Sequence, residues 1–109
     1  MIENNQKGCL LIGEGVSVKG IFTVPDIVTV AGSVEGELTA REIIIESTGF
    51  VKGKIESETL DVKGRAEESI LSKKFMIIRS TGSVTGAVKY SEIEIEKGGH
   101  LHGDVQSNT

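Results

Sequence analysis

The sequence predicts an all-β solenoid, a β-helix of about six short turns with a triangular cross-section. A motif of the form Gly-x-Φ-x-Gly-x-Φ, in which Φ is apolar, recurs about every 17 residues along most of the 109-residue chain. Between the copies, polar and apolar residues alternate with the period of two that is typical of strands. The core must be aliphatic, because the chain has no Trp, one Tyr and three Phe, and Ile and Val favour strands.

The motif has six copies, which follow one another along the chain. Val16 replaces the first glycine of the first copy, and Glu68 replaces the second glycine of the fourth copy. The copies are residues 16–22, 32–38, 49–55, 64–70, 82–88 and 99–105. A unit of this length has too few apolar side chains to form a core alone, so the copies must stack on one another.

Aligned on the second glycine position, the copies share three columns that are apolar throughout. Two residues before that position stand Val18, Val34, Val51, Ala66, Val84 and Leu101. Two residues after it stand Phe22, Leu38, Ile55, Ile70, Val88 and Val105. Eight residues before it stand Ile12, Val28, Ile45, Leu60, Ile78 and Ile95. We expect each column to form one inward-facing ladder, and a turn of about 17 residues suits three faces.

The strand segments and the corners can be placed in the same way. In the segment 91–97, residues 92–96 alternate strictly between polar and apolar, and no segment shows a sustained helical period of 3.6 residues. Glycine is expected at the corners, where a positive φ or a close backbone approach is needed. An additional apolar residue lies six before the aligned position at Val30 and Val62, so corner length is expected to vary by one or two residues.

Composition excludes several classes of function. The net charge is −4 and no basic run is longer than Lys73-Lys74, so nucleic-acid binding is not expected. The single cysteine, Cys9, permits neither an intrachain disulfide nor a Cys-based zinc site. Neither a secretory leader nor an apolar stretch of membrane-spanning length is seen, so a cytoplasmic location is the expectation.

The chemically reactive side chains are sparse. His100 and His102 flank Leu101 on a predicted strand, where they could hold a metal or make assembly pH-sensitive, but surface histidines are the preferred interpretation because only Asp104 lies nearby. Cys9 is far from both histidines and therefore lacks a base. We expect no catalytic residue, no cofactor and no metal site, and hence no enzyme activity.

The ends of such a solenoid are its predicted functional sites. Each end leaves strand edges unpaired and a slice of the core uncovered, and this chain has no polar capping repeat. We expect residues 10–105 to form the β-helix domain, with residues 1–9 and 106–109 as flexible tails too short to cap it. The predicted end faces consist of Ile12, Val18, Phe22, Ile93, Ile95, Leu101 and Val105.

Several motifs in this order resemble the bactofilin family of bacterial cytoskeletal proteins. The resemblance is carried by residues 11–20 (Leu-Ile-Gly-Glu-Gly-Val-Ser-Val-Lys-Gly), by residues 49–55, and by residues 79–86 followed by Tyr90 and residues 93–95. It implies a right-handed parallel β-helix and homopolymeric filaments that form without nucleotide. It also implies frequent membrane association and roles in cell shape, motility or polar scaffolding, with a paralogue or envelope and motility proteins as partners.

The chain departs from the family pattern at three places. Glu68 stands in place of a glycine and Ala66 in place of a valine, so a local bulge is expected in the fourth turn. Leu101 stands where the family usually has phenylalanine near the C-terminal end. The family's short apolar membrane-binding tail has a weak counterpart in Met1 and Ile2, which are the candidate membrane contacts at the inner face of the cytoplasmic membrane.

Two other functions are compatible with a solenoid. One is a β-helical enzyme resembling acyltransferases, which would need a six-residue period, a catalytic histidine and a trimeric cleft. The other is an adaptor that binds a protein through one face without polymerising. Size-exclusion chromatography separates the three, because the polymer would elute in the void volume, the enzyme as a trimer and the adaptor as a monomer.

Overall fold

The computed structural model describes residues 8–107, which form nine β-strands and no helix. The strands are β1 (Leu10–Ile12), β2 (Ser17–Thr23), β3 (Ile27–Val30), β4 (Ser33–Ile45), β5 (Phe50–Val62), β6 (Arg65–Ile78), β7 (Ser83–Tyr90), β8 (Glu92–Ile95) and β9 (His100–Ser107). All the strand pairs are parallel. The predicted all-β solenoid of about six turns is therefore confirmed.

The chain winds so that each segment pairs with the segment one turn away. The long strands β4, β5 and β6 pass through two or more faces each and pair along most of their length. At one end β4 pairs with both β2 and β3, and at the other β6 pairs with both β7 and β8. We number the turns one to six by the residues at which they begin, which are Leu10, Val28, Ile43, Leu60, Met76 and Ile93.

Two of the three predicted ladders are confirmed in register. Val34, Val51 and Val84 lie in one row with Val18, Ala66 and Leu101, and these three valines are fully buried. The row from Phe22 to Val105 is likewise continuous through all six turns. Stacked aliphatic side chains thus fill the interior from end to end.

The third predicted column is wrong as one ladder, because it mixes members of two. Val28 and Leu60 belong to a row with Leu10, whereas Ile45, Ile78 and Ile95 belong to a parallel row with Ile12. The first row consists of Leu10, Val28, Ile43, Leu60, Met76 and Ile93. The second row consists of Ile12, Val30, Ile45, Val62, Ile78 and Ile95.

Corner length explains the mixing. Ile45 and Val51 are separated by a corner that is two residues longer than the corner between Val30 and Val34. Counting back from the glycine therefore reaches a different row in the turns with short corners. The predicted variation in corner length is confirmed, with turns two and four having the short form.

Each turn changes direction three times, as a triangular cross-section requires. Along β4 the alternation of buried and outward residues is interrupted at Gly36 and again at Arg41 and Glu42. The third change is the corner that follows Ile45. The inward side chains of these three faces form one hydrophobic core.

The second glycine of the motif occupies a corner that no ordinary side chain fits. Gly53 has a φ of 129°, and a Cβ added there would collide with the carbonyl oxygen of Gly36 on the turn below. Glu68 occupies the same position in turn four with a φ of 89° and remains in register with Gly53 and Gly86. The bulge predicted at Glu68 is therefore absent, because the glutamate adopts a left-handed backbone conformation instead.

An irregularity does occur in turn four, at a different corner. The register of β5 and β6 shifts between Ser57 and Thr59, where β6 carries one additional residue, so that Lys73 and Lys74 lie opposite Glu58 alone. Ser72 is buried there, and its hydroxyl donates to the carbonyl oxygens of Glu58 and Phe75 in alternative geometries of 3.3 and 2.8 Å. Both lysines lie in β6, where Lys73 pairs with Glu56 and Lys74 pairs with Glu58.

Candidate polymer interfaces at the ends of the solenoid

Both ends of the solenoid present strand edges. Within residues 8–107, β1 and β2 pair only with β3 and β4, so their other edges are unpaired at the N-terminal end. At the C-terminal end, β8 and β9 pair only with β6 and β7 among the strands of the described part of the chain. Unpaired N–H and C=O groups of this kind are a template for another chain.

The C-terminal end also exposes a slice of the core. Ile95 and Val105 are 44% and 39% exposed, although their partners one turn earlier, Ile78 and Val88, are buried. Ile93 and Leu101 are half-buried in the same turn. The four residues predicted for this end therefore lie together in turn six, with apolar surface uncovered.

The N-terminal end is better covered. Val18 and Phe22 are half-buried and pack against the core from turn one, in the same two rows as Leu101 and Val105. Ile12 lies in turn one as well, but it is only 3% exposed and offers little surface. The candidate membrane contacts Met1 and Ile2 lie outside the described residues.

Two residues that the sequence analysis left out also border this end. Leu10 and Val24 are half-buried and pack against the core in turn one. Leu10 was recognisable, because it begins the row that continues with Ile43 and Ile93. Val24 carried no such signal, since the corresponding inward position on later turns holds small residues, such as Ala40.

Arg79 links turns four, five and six through side-chain hydrogen bonds. The Arg79 guanidinium donates to both carboxylate oxygens of Asp61 in turn four at 3.1 Å and to Glu96 in turn six at 3.0 Å. Glu96 also accepts from the Ser80 backbone N–H at 3.2 Å. The hydrogen bonds that Arg79 donates to Asp61 and to Glu96, in that order of importance, raise the pKa of Arg79, so the guanidinium stays charged. This network orders the corner that leads into the C-terminal end.

A second arginine stabilises the N-terminal part. Arg41 donates through Nε to the Asp26 carboxylate at 2.8 Å, while the backbone N–H groups of Arg41 and Glu42 donate to the Asp26 carbonyl at 3.0 Å. The hydrogen bond and the charge of Asp26 raise the pKa of Arg41. The Asp26 N–H in turn donates to Gly8 at 3.1 Å, which fixes the start of turn one.

The remaining candidate groups are scattered. His100, His102 and Cys9 are all exposed. Residues 8–107 bring together no group of three His, Cys, Asp or Glu side chains able to hold a metal ion. Over the same range, no helix has the length and apolar character needed to cross a membrane.

Comparison with known proteins gave one match. A protein-family model described as bactofilin, polymer-forming cytoskeletal, matches residues 10–106, which is nearly the whole chain. The curated proteins and the solved structures contained no match to the chain.

Proposed function

The chain belongs to the bactofilin family of polymer-forming cytoskeletal proteins, and from this premise we propose that it assembles end to end into filaments that need no nucleotide. The observation that supports this is the exposed core slice of turn six, where Ile95 and Val105 face no further turn of the described chain. A second subunit placed on this end would supply the missing neighbours for the side chains and for the strand edges.

The energy available at such a joint is sufficient for assembly. Burial of several hundred Å² of apolar surface contributes on the order of 10 kcal/mol, at about 25 cal/mol per Å², before the entropy of association is subtracted. Pairing of the strand edges satisfies backbone groups that water otherwise solvates and sets the register. Neither contribution requires hydrolysis or a bound cofactor.

The proposed polymer would act in the cell as a scaffold. We propose a scaffold for cell shape, polar organisation or motility, located in the cytoplasm and at the inner face of the cytoplasmic membrane. Its partners would be further copies of the chain, a paralogue of the same family, or envelope and motility proteins. Met1 and Ile2 are the proposed membrane contacts.

Charge introduced into the end faces tests the assembly. Leu101→Arg and Phe22→Arg would bury an unpaired guanidinium at the joint, so we expect filaments to be lost in negative-stain electron microscopy and the protein to sediment as small species. Leu11→Arg is the matched control, because Leu11 is 73% exposed on the outward side of turn one. Filaments that persist in both end variants would refute end-to-end assembly.

Size-exclusion chromatography of the unmodified chain separates the alternative functions. Elution in the void volume supports the polymer. A trimer would favour an acyltransferase-like enzyme, and a monomer would favour an adaptor that binds its partner through one face.

A further inference from the structure

The outward residues beside one corner of the solenoid carry charge that alternates from turn to turn. This corner, which we call the glycine ridge, consists of Gly20, Gly36, Gly53, Glu68, Gly86 and Gly103. The row before it begins Lys19, Glu35, Lys52, Glu67, and the row after it begins Ile21, Glu37, Lys54, Ser69. Turns one to four are therefore positive, negative, positive and negative along the ridge.

From this pattern we infer that the glycine ridge is a second self-association surface, through which two copies of the chain pair side by side and antiparallel. A two-fold axis between turns two and three places Glu35 and Glu37 of each copy against Lys52 and Lys54 of the other. The same axis places Lys19 against the Glu67 of the second copy. Every charged turn among the first four then meets a turn of opposite sign.

The charges are available for such a contact. Glu37, Lys52, Lys54 and Glu68 are exposed and form no ion pair with another residue in the described range 8–107. Of the other charges in the contact, Lys19 pairs with Glu35 on the neighbouring turn at 3.8 Å, and Glu67 pairs with Arg65 at 3.2 Å. The four unpaired side chains do not neutralise one another along the rows within residues 8–107. The side chains instead project into solvent, where a second copy can reach them.

The surroundings of the charges favour a close approach. Five of the six ridge positions are glycines, which have no side chain to hold two ridges apart. Ile21 is 74% exposed beside the ridge, and the antiparallel arrangement would cover it with the second copy at Ser69. Pairing of two copies in the same direction and at the same level would instead set Lys52 against Lys54, so like charges would oppose it.

Repetition makes this surface effective. An exposed ion pair contributes little by itself, but a contact that recurs at every subunit of two neighbouring filaments adds up. The filament context rests on the proposed end-to-end assembly, whereas the ridge contact itself does not.

Charge reversal tests the pairing of filaments. We expect the double variant Lys52→Glu/Lys54→Glu to form single filaments by electron microscopy, and likewise Glu35→Lys/Glu37→Lys. The four substitutions together restore opposite charges across the proposed axis, so we expect the paired filaments to return. The control Lys89→Glu/Lys97→Glu changes the net charge by the same amount as Lys52→Glu/Lys54→Glu, at exposed sites off the ridge, and should leave the pairing of filaments intact. Retained pairing in either double variant, or no rescue by the fourfold variant, would overturn the inference.

A covalent cross-link tests the ridge without filaments. Ile21→Cys/Ser69→Cys, in a Cys9→Ser and Leu101→Arg background, places thiols three turns apart within one chain, roughly 14 Å, which is too far for a disulfide. The antiparallel pair brings them together between copies, so mild oxidation should give covalent dimers, and Ile21→Cys alone should not. Monomer only from the double-cysteine protein would contradict ridge pairing. If the unmodified chain forms no filaments, end-to-end assembly is contradicted, but the cross-linking result for the ridge still stands.

Discussion

Ile78 and Ile95 are partners on adjacent turns of the same ladder, yet Ile78 is fully buried and Ile95 is 44% exposed. The two side chains have the same chemistry and the same inward direction. What differs is that Ile78 has a turn on both sides, whereas Ile95 has one on only one side among the described residues. The exposed fraction of Ile95 therefore measures the surface that a joining subunit would cover.

Truncation of this side chain should weaken the polymer without preventing it. Because Ile95→Ala removes several buried methyl or methylene groups at the joint, we expect a rise in the critical concentration of at least about tenfold. Pelleting at a series of protein concentrations measures it. Leu11→Ala, which removes an outward apolar side chain of similar size, should leave the critical concentration unchanged. A similar rise in both variants would mean that turn six is not the joint.

Glu68 should be replaceable by glycine with a gain in stability. Its φ of 89° is a conformation that glycine adopts freely and that costs other residues about 1 kcal/mol or more. We expect Glu68→Gly to raise the free energy of unfolding by about 1 kcal/mol, measured by urea denaturation in the Leu101→Arg background. Glu67→Gly, one residue earlier in an extended strand, should instead lower it. Equal effects of the two substitutions would contradict a strained Glu68.

The two buried serines should respond in opposite ways to alanine. The Ser57 hydroxyl is buried and has no hydrogen-bond partner among residues 8–107, whereas the Ser72 hydroxyl donates to a backbone carbonyl beside the register shift of β5 and β6. Because removal of an unsatisfied hydroxyl is neutral or stabilising, Ser57→Ala should not lower the unfolding free energy, while Ser72→Ala should lower it by about 1 kcal/mol. Urea denaturation measures both, and a larger loss at Ser57 would show that its hydroxyl has a partner.

Arg79 should control the order of the C-terminal end. Since Arg79→Met removes the bonds to Asp61 and Glu96, we expect faster amide hydrogen exchange in residues 93–107, with the central turns unchanged. Arg41→Met is the matched control, because its effect should appear near Asp26 instead. Uniformly faster exchange in the Arg79 variant would indicate a global loss of stability rather than a local one.

The sequence was sufficient to predict the solenoid, because each ladder repeats at a glycine whose position is set by sterics. Gly53 cannot carry a Cβ, so its spacing from Gly36 reports one full turn and its spacing from Gly86 reports two. The ladder from Ile12 to Ile95 could not be read by counting alone, since two-residue changes in corner length occur between the glycine and the preceding face. Only the strand register resolves which aliphatic residues share a row.

The end faces were predictable as a set but not in their relative exposure. Val105 and Ile12 have the same inward pattern in the sequence, yet one is 39% exposed and the other 3%. That difference depends on how each terminal turn is covered, which a repeat pattern does not encode. The strain at Glu68 was likewise not foreseen, because a glutamate in place of a glycine can either bulge out of register or adopt a positive φ.

Within residues 8–107, each turn pairs in parallel with its adjacent turns only, which would link folding to assembly in the proposed polymer. A subunit that joins at turn one or turn six would continue this pairing across the boundary between molecules. The melting temperature of the protein would then rise with its concentration. A cell could thus set the lifetime of this scaffold through the amount of protein that it makes.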